Sequence, residues 1–190
     1  NLPQELVSLN EKPIVNLRNL AKAKKKNISE LVVCILKRDR HTELIEQCRQ
    51  AGARIMLITD GDVSGVIATS EEDSGVDIYM GTGGSPEGVL AAAALRCIGG
   101  QMQTKLTFRN DEEIARAYRV GIKDINKIYN LDDLASGDVM FAATGVTDGN
   151  MLRGVKNKQG IAFTESIVMR SSTRTVRKIK AQHSLINKSD

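Results

Sequence analysis

Leu31-Val-Val-Cys-Ile-Leu-Lys-Arg-Asp-Arg-His41 is a short, continuous apolar run that breaks abruptly into charge. An apolar run without polar alternation predicts a strand buried on both faces, as in a parallel sheet. The same form occurs twice more. Arg54-Ile-Met-Leu-Ile-Thr59 leads into Asp60-Gly61-Asp62, and Val76-Asp-Ile-Tyr-Met80 leads into Gly81-Thr-Gly-Gly-Ser-Pro-Glu-Gly88. Helical patterns separate these runs. Pro13 to Lys26 carries Ile14, Leu17, Leu20 and Ala21 at helical spacing. Thr42 to Ala51 is helical, with Gly52 as its stop. A short helix is expected from Val63 to Ala68. A longer one runs from Ser85-Pro86-Glu87 to Ile98, with Ser85 as N-cap and Pro86 in the first helical position. This alternation predicts an α/β fold, a sheet covered by helices.

Beyond Ile98 the pattern predicts a strand over 101–108, a helix from Asp111 to Val120 with acids in its first turn, and a strand from Asp138 to Ala143. Two late strands, Ile161 to Arg170 and Thr173 to Gln182, meet at Ser171-Ser172. The sheet is therefore expected to be mixed, with an antiparallel end. No repeat or low-complexity linker divides the chain, so one domain is expected.

With 190 residues the chain can bury a core of its own. Its 41% hydrophobic and 26% charged residues exclude a disordered chain, a collagen and a coiled-coil rod. No apolar run approaches the roughly 20 residues of a membrane span. The three cysteines form no CxxC pair, which suits a cytoplasmic, reduced protein. Cys34 and Cys97 lie in apolar runs and read as inert core residues. The net charge of +4 is concentrated in two places, Arg18 to Lys26 and Arg170 to Asp190. Neither has an aromatic residue to stack on bases, so they read as solvated faces rather than a nucleic-acid surface. The chain opens on Asn1. Removal of a Met before so large a residue is uncommon, so an internal start is expected.

If the first three strands are parallel, the loops that follow them line one edge, where open α/β sheets bind ligands. Arg38 and Arg40 offer forked donors for phosphate oxygens. Asp60 and Asp62 can accept from sugar hydroxyls or hold a cation. The Gly81–Gly84 stretch lets backbone approach a ligand, and the helix after it aims N–H groups at the same spot. Glu87 faces that crevice, where a divalent cation would reconcile it with a phosphate. Simpler roles exist for each. Glu87 complements the helix dipole in any case, Asp60-Gly61-Asp62 can be a capping turn, and the 37–41 cluster can be a solvated loop. His41 reads as an ordinary surface or helix-start residue rather than a general base. Pro86 stands where a third glycine of GxGxxG belongs, so a dinucleotide fingerprint is absent.

The block from Gly81-Thr-Gly-Gly-Ser-Pro-Glu-Gly88 through Gln103 closely resembles the class II fructose-1,6-bisphosphatases of bacteria, relatives of cyanobacterial enzymes that also act on sedoheptulose bisphosphate. The resemblance extends through Lys37-Arg-Asp-Arg-His41, Thr59-Asp-Gly-Asp62, Phe141-Ala-Ala-Thr-Gly-Val-Thr-Asp-Gly149 and Arg174-Thr-Val-Arg177, spanning nearly the whole chain. It implies the lithium-sensitive, metal-dependent sugar-phosphatase fold, layered α/β/α, of which residues 1–190 form the carboxyl-terminal, sugar-phosphate-binding subdomain. It also implies hydrolysis of fructose 1,6-bisphosphate to fructose 6-phosphate in gluconeogenesis and glycerol metabolism, Mg²⁺ or Mn²⁺ as cofactor, and a homo-oligomer of the full-length enzyme without nucleic-acid or membrane partners. Residue by residue, it makes Glu87 a metal ligand and Arg38, Asp39, Arg40, Asp60, Gly61, Asp62 and Gly84 substrate contacts. Arg38 stands where the family often has Lys, which keeps the charge and changes donor geometry.

The family's Asp-Pro-Ile-Glu/Asp-Gly-Thr motif and its other metal carboxylates do not occur in these residues. A fragment inactive by itself is therefore expected. The rival readings are a non-catalytic sugar-phosphate-binding or regulatory module, a preference for sedoheptulose 1,7-bisphosphate, and a nucleotide-binding α/β protein, which the failed glycine fingerprint disfavours.

Overall fold

β1 (Val32–Leu36) is the central strand of a three-stranded parallel sheet, between β2 (Arg54–Ile58) and β3 (Ile78–Tyr79), in the computed structural model, which describes residues 3 and 5–185. Successive side chains of β1 alternate between the faces of the sheet. Val33 and Ile35 join Leu17, Leu20 and Ala21 of α1 (Pro13–Lys24) and Cys48 of α2 (Thr42–Gln50) in one buried cluster. Cys34 faces the other way, toward α3 (Asp62–Ala68), which comes so close at Gly65 that an added Cβ would sit 3.0–3.2 Å from Ile58, Cys34 and Tyr79.

α3 and α4 (Ser85–Ile98) then form a second core with the strands that follow. Ile67, Ala94 and Cys97 pack with Phe141, Leu152, Ile167 and Met169. Those strands are antiparallel: β6 (Met140–Thr144) and β7 (Lys156–Lys158) pair along one side of β8 (Ile161–Arg170), and β9 (Thr175–Ser184) pairs along the other. A third small sheet pairs β4 (Gln103–Lys105) with β5 (Ile128–Asn130). Between these two strands lies α5 (Asp111–Arg119), and α6 (Leu131–Leu134) follows β5. Asn110 caps α5 by accepting from the Glu113 N–H at 3.0 Å.

The expected single mixed sheet is thus replaced by separate parallel and antiparallel sheets with helices between them. β3 has only two residues and offers little edge on which a later strand could add. Its expected span, 76–80, is shortened partly because the Asp77 side chain takes the Val32 N–H at 2.9 Å, standing in for backbone pairing. Asp77 also accepts from Lys24 and Lys26 at 2.6 and 3.1 Å. The amino-terminal basic segment therefore anchors a buried carboxylate as well as facing solvent. A second correction concerns α4, whose N-cap is Gly84 in extended conformation, with Ser85 and Pro86 as its first two residues. β5, α6 and β7 were not expected. Each is three or four residues long, too short to carry a period. No helix among the described residues is long and apolar enough to cross a membrane.

Candidate functional site

Because β1, β2 and β3 are parallel, the three chemistry-bearing loops emerge at one edge. Hydrogen bonds then lock them together. The Arg38 guanidinium donates through Nη1 to the carbonyls of Lys37 and Thr59, both at 2.8 Å, joining the first loop to the second. Arg40 donates through Nε and Nη2 to the Thr82 carbonyl at 3.0 and 2.7 Å, joining the first to the third. The second and third meet at Asp62, whose Oδ2 would lie 2.9 Å from a Cβ on Gly83. Asp39 and Asp60 are exposed on this same edge, and Gly61, in left-handed conformation (φ 75°), turns the second loop into α3.

Arg38 and Arg40 were expected to use their forks on phosphate. The structure shows part of each fork spent on loop carbonyls. A guanidinium has five N–H donors, so Nε and Nη2 of Arg38 and Nη1 of Arg40 remain for a ligand.

The third loop leads directly into α4. No side chain caps its first turn, which leaves N–H groups to attract an anion. Glu87 folds back so that its carboxylate lies over Gly84. A side chain at position 84 would displace it, which is a local reason for glycine there. Asp62 and Glu87 therefore rest on adjacent glycines. Among the described residues no group of three His, Cys, Asp or Glu side chains gathers to hold a metal ion. Glu87 fits as one oxygen ligand of a divalent cation, and these residues do not fit a complete metal centre, which takes about six oxygens.

Two residues at the site escaped sequence reasoning. His41, read as a surface residue, is 2% exposed. Its Nδ1 lies 2.7 Å from the Leu36 carbonyl, and its Nε2 lies 2.8 Å from the Thr82 N–H. With both nitrogens engaged it has no position for a reacting proton. Tyr79 lies beneath the loops. Burial, then the nearby Asp62 carboxylate, push its phenol up to about 12, so it keeps its proton at neutral pH. Tyr79 ends β3, with only Met80 between it and the glycine loop that opens at Gly81, and that place in the strand is the signal that could have flagged it. Burial likewise raises all three cysteine thiols, Cys48 to about 11, in keeping with inert core positions.

The edge is lined by exposed loop residues, 37–40, 59–61 and 81–87. A cavity of about 330 Å³, lined by Arg96, Gly99, Asp138, Ser171 and Arg174 among others, lies at the opposite end of α4. Along the helix that is about 14–18 Å from Glu87 at 1.5 Å per residue, and none of the three loops lines it.

Comparison with known proteins identifies the family. A family model described as bacterial fructose-1,6-bisphosphatase, glpX-encoded, matches residues 1–183. A Synechococcus protein (strain JA-3-3Ab) named D-fructose 1,6-bisphosphatase class 2/sedoheptulose 1,7-bisphosphatase is 41% identical over 192 residues, covering 93% of this chain and 55% of the relative. A Haemophilus influenzae protein named fructose-1,6-bisphosphatase class 2 is 39% identical over 194 residues, covering 95% of this chain and 58% of the relative. The chain thus spans a little over half the length of the curated relatives it matches.

Proposed function

The chain belongs to the bacterial, glpX-encoded fructose-1,6-bisphosphatase family, and from that premise we propose that it serves metal-dependent hydrolysis of fructose 1,6-bisphosphate to fructose 6-phosphate and phosphate, by holding the sugar and its phosphates. One observation carries this reading: Arg38, Asp39 and Arg40, Asp60 to Asp62, and Gly84 to Glu87 converge at the carboxyl edge of one parallel sheet. The remaining guanidinium donors and the first turn of α4 suit phosphate oxygens. Asp60 and Asp62 suit hydroxyl donors. Grip on the remote phosphate orients the reacting one, which is how binding energy becomes rate. A Mg²⁺ or Mn²⁺ ion, with Glu87 as one ligand, would polarise the phosphoryl group. The cytoplasm, where sugar phosphates are handled, is the proposed location. The Synechococcus relative's name makes sedoheptulose 1,7-bisphosphate the second substrate to try.

Two preparations test the reading. The 190-residue chain by itself should bind fructose 1,6-bisphosphate in calorimetry, yet release phosphate far more slowly than about 1 per second, because its described residues do not complete a metal centre. A chimera carrying these residues in place of the matching stretch of the Haemophilus relative should hydrolyse the substrate when Mg²⁺ or Mn²⁺ is added. Binding without hydrolysis by the chimera would assign a sugar-phosphate-binding module instead.

In that chimera Arg40→Ala should raise KM about tenfold or more and change kcat less. The side chain gives up charge-assisted hydrogen bonds of roughly 1.5–3 kcal/mol. Its loss also releases the Thr82 carbonyl from the first loop. A KM within twofold of the parent chimera would return the loop to the solvated-surface reading.

A further inference from the structure

The pairing of β1 with β3 ends in an unusual way. Asp77 N–H donates to the Val32 carbonyl at 2.9 Å, and Met80 N–H donates to the Cys34 carbonyl at 3.1 Å. Two residues further along each strand, the next rung would join Thr82 N–H to the Leu36 carbonyl. The His41 ring stands between those two atoms, bonded to both. The carbonyl can only accept and the backbone N–H can only donate. The imidazole therefore carries its proton on Nδ1 and accepts at Nε2. It replaces one rung of the ladder and spreads the strand ends by the width of a ring.

We propose that His41 is a positioning residue, a wedge that opens the crevice between β1 and β3 and shapes the glycine loop for a sugar phosphate; this rests on the sugar-phosphate reading above. Three further observations fit the wedge. Thr82 is held from both sides, its N–H by His41 and its carbonyl by the Arg40 fork. Gly81 lies against the ring, where an added Cβ would meet Cε1 and Nε2 at 3.2 and 3.3 Å. His41 as a whole is 2% exposed, so it acts through the loop rather than on a ligand. The loop it sets leads to Gly83 and Gly84, on which Asp62 and Glu87 rest. The proposed ligand is the phosphate-bearing end of a sugar phosphate, gripped by the Arg38–Arg40 turn on one side of the wedge and by the start of α4 on the other.

The test separates the two ends of the ring in the 190-residue chain. His41→Asn can place an amide N–H near Nδ1 and keep the Leu36 bond, but its side chain falls short of Thr82. His41→Gln can place its carbonyl oxygen near Nε2 and keep the Thr82 bond. Fructose 1,6-bisphosphate affinity is read by calorimetry, Thr82 amide exchange by ¹⁵N spectra, and stability by urea unfolding. His41→Asn should weaken binding about tenfold and speed Thr82 exchange at least tenfold, while His41→Gln stays within about threefold of wild type in both. Gly81→Ala, which presses a methyl on the buried ring at a backbone angle (φ 155°) that side chains rarely adopt, should lower affinity at least as much as His41→Asn, with a loss of stability that urea unfolding reads alongside. Equal losses in the Asn and Gln variants, tracking their stability, would overturn the wedge, as would undiminished affinity in both. If the wild-type chain binds no fructose 1,6-bisphosphate, the sugar-phosphate reading fails. Thr82 exchange then decides the wedge by itself: a contrast between Asn and Gln upholds it, and its absence overturns it.

Discussion

Glu87→Gln is expected to cut kcat of the chimera by at least about a hundredfold, roughly 2.7 kcal/mol of barrier. It should also raise the Mg²⁺ or Mn²⁺ concentration needed for half-maximal rate. The position suggests two roles with different consequences. As a first-turn acid on α4, Glu87 complements the helix dipole, worth about 0.3–1 kcal/mol of stability. Glutamine would then lower stability slightly and leave turnover nearly intact. As a metal ligand it supplies charge as well as an oxygen, and the neutral amide removes the charge without changing the shape. The geometry leaves room for both roles. The carboxylate is folded over Gly84 at the open edge, beside the glycine that touches Asp62. No side chain among the described residues bonds it. Unfolding in metal-free buffer, compared with turnover across a metal titration, distinguishes the roles. Normal kcat with an unchanged metal requirement would remove Glu87 from the metal site.

The parallel half of the fold was legible because its strands are apolar on both faces and its helices are amphipathic. Leu31–Leu36 could hardly be anything but a buried central strand, and once it is parallel to its neighbours the loop cluster at one edge follows from topology. The antiparallel half was only partly legible. The long β8–β9 hairpin showed itself, but Lys156–Lys158 is wholly exposed and polar, so nothing in its composition marks it as a strand. Its pairing is decided by β8 across from it. The separation into sheets was hidden for a related reason, since it depends on how briefly β3 pairs rather than on any local preference.

At the candidate site, residue types predicted which loops come together better than they predicted what each side chain bonds. Two forked donors suggested phosphate, yet each fork is partly committed to a loop carbonyl, a partnership made by residues 21 and 42 positions away. His41 was the larger miss. A histidine that follows four charged residues looks solvated, and here the chain turns through Asp39–His41 so that the charges face water while the ring swings under the loop. That burial depends on a missing strand rung, which is a property of the pair β1 and β3 and not of either segment.

At the opposite end of the same sheet, Asp77→Ala is expected to destabilise the chain by about 2–3 kcal/mol. The carboxylate is 5% exposed and accepts from Lys24, Lys26 and the Val32 N–H, bonds to charged groups of the stronger kind. Its loss unties α1 from the β1–β3 junction and leaves the Val32 N–H without its side-chain acceptor. The two lysines are partly exposed and can turn to water, which keeps the cost below the 3–5 kcal/mol or so of stranding a buried charge. The pH dependence has a definite sign. Burial alone would raise the Asp77 pKa, but hydrogen bonds from Lys24, Val32 and Lys26 outweigh it and hold the folded value below the ordinary 3.8. A carboxylate depressed on folding stabilises the native state at pH values above its unfolded pKa. That contribution fades as pH falls from the unfolded pKa through the lower, folded one. Asp77→Asn keeps the shape, so the gap in unfolding free energy between it and wild type should be fully present at pH 6 and shrink as the pH falls below about 4. A gap that stayed constant down to pH 2 would mean that packing, and not the charge on Asp77, is what ties α1 to the sheet.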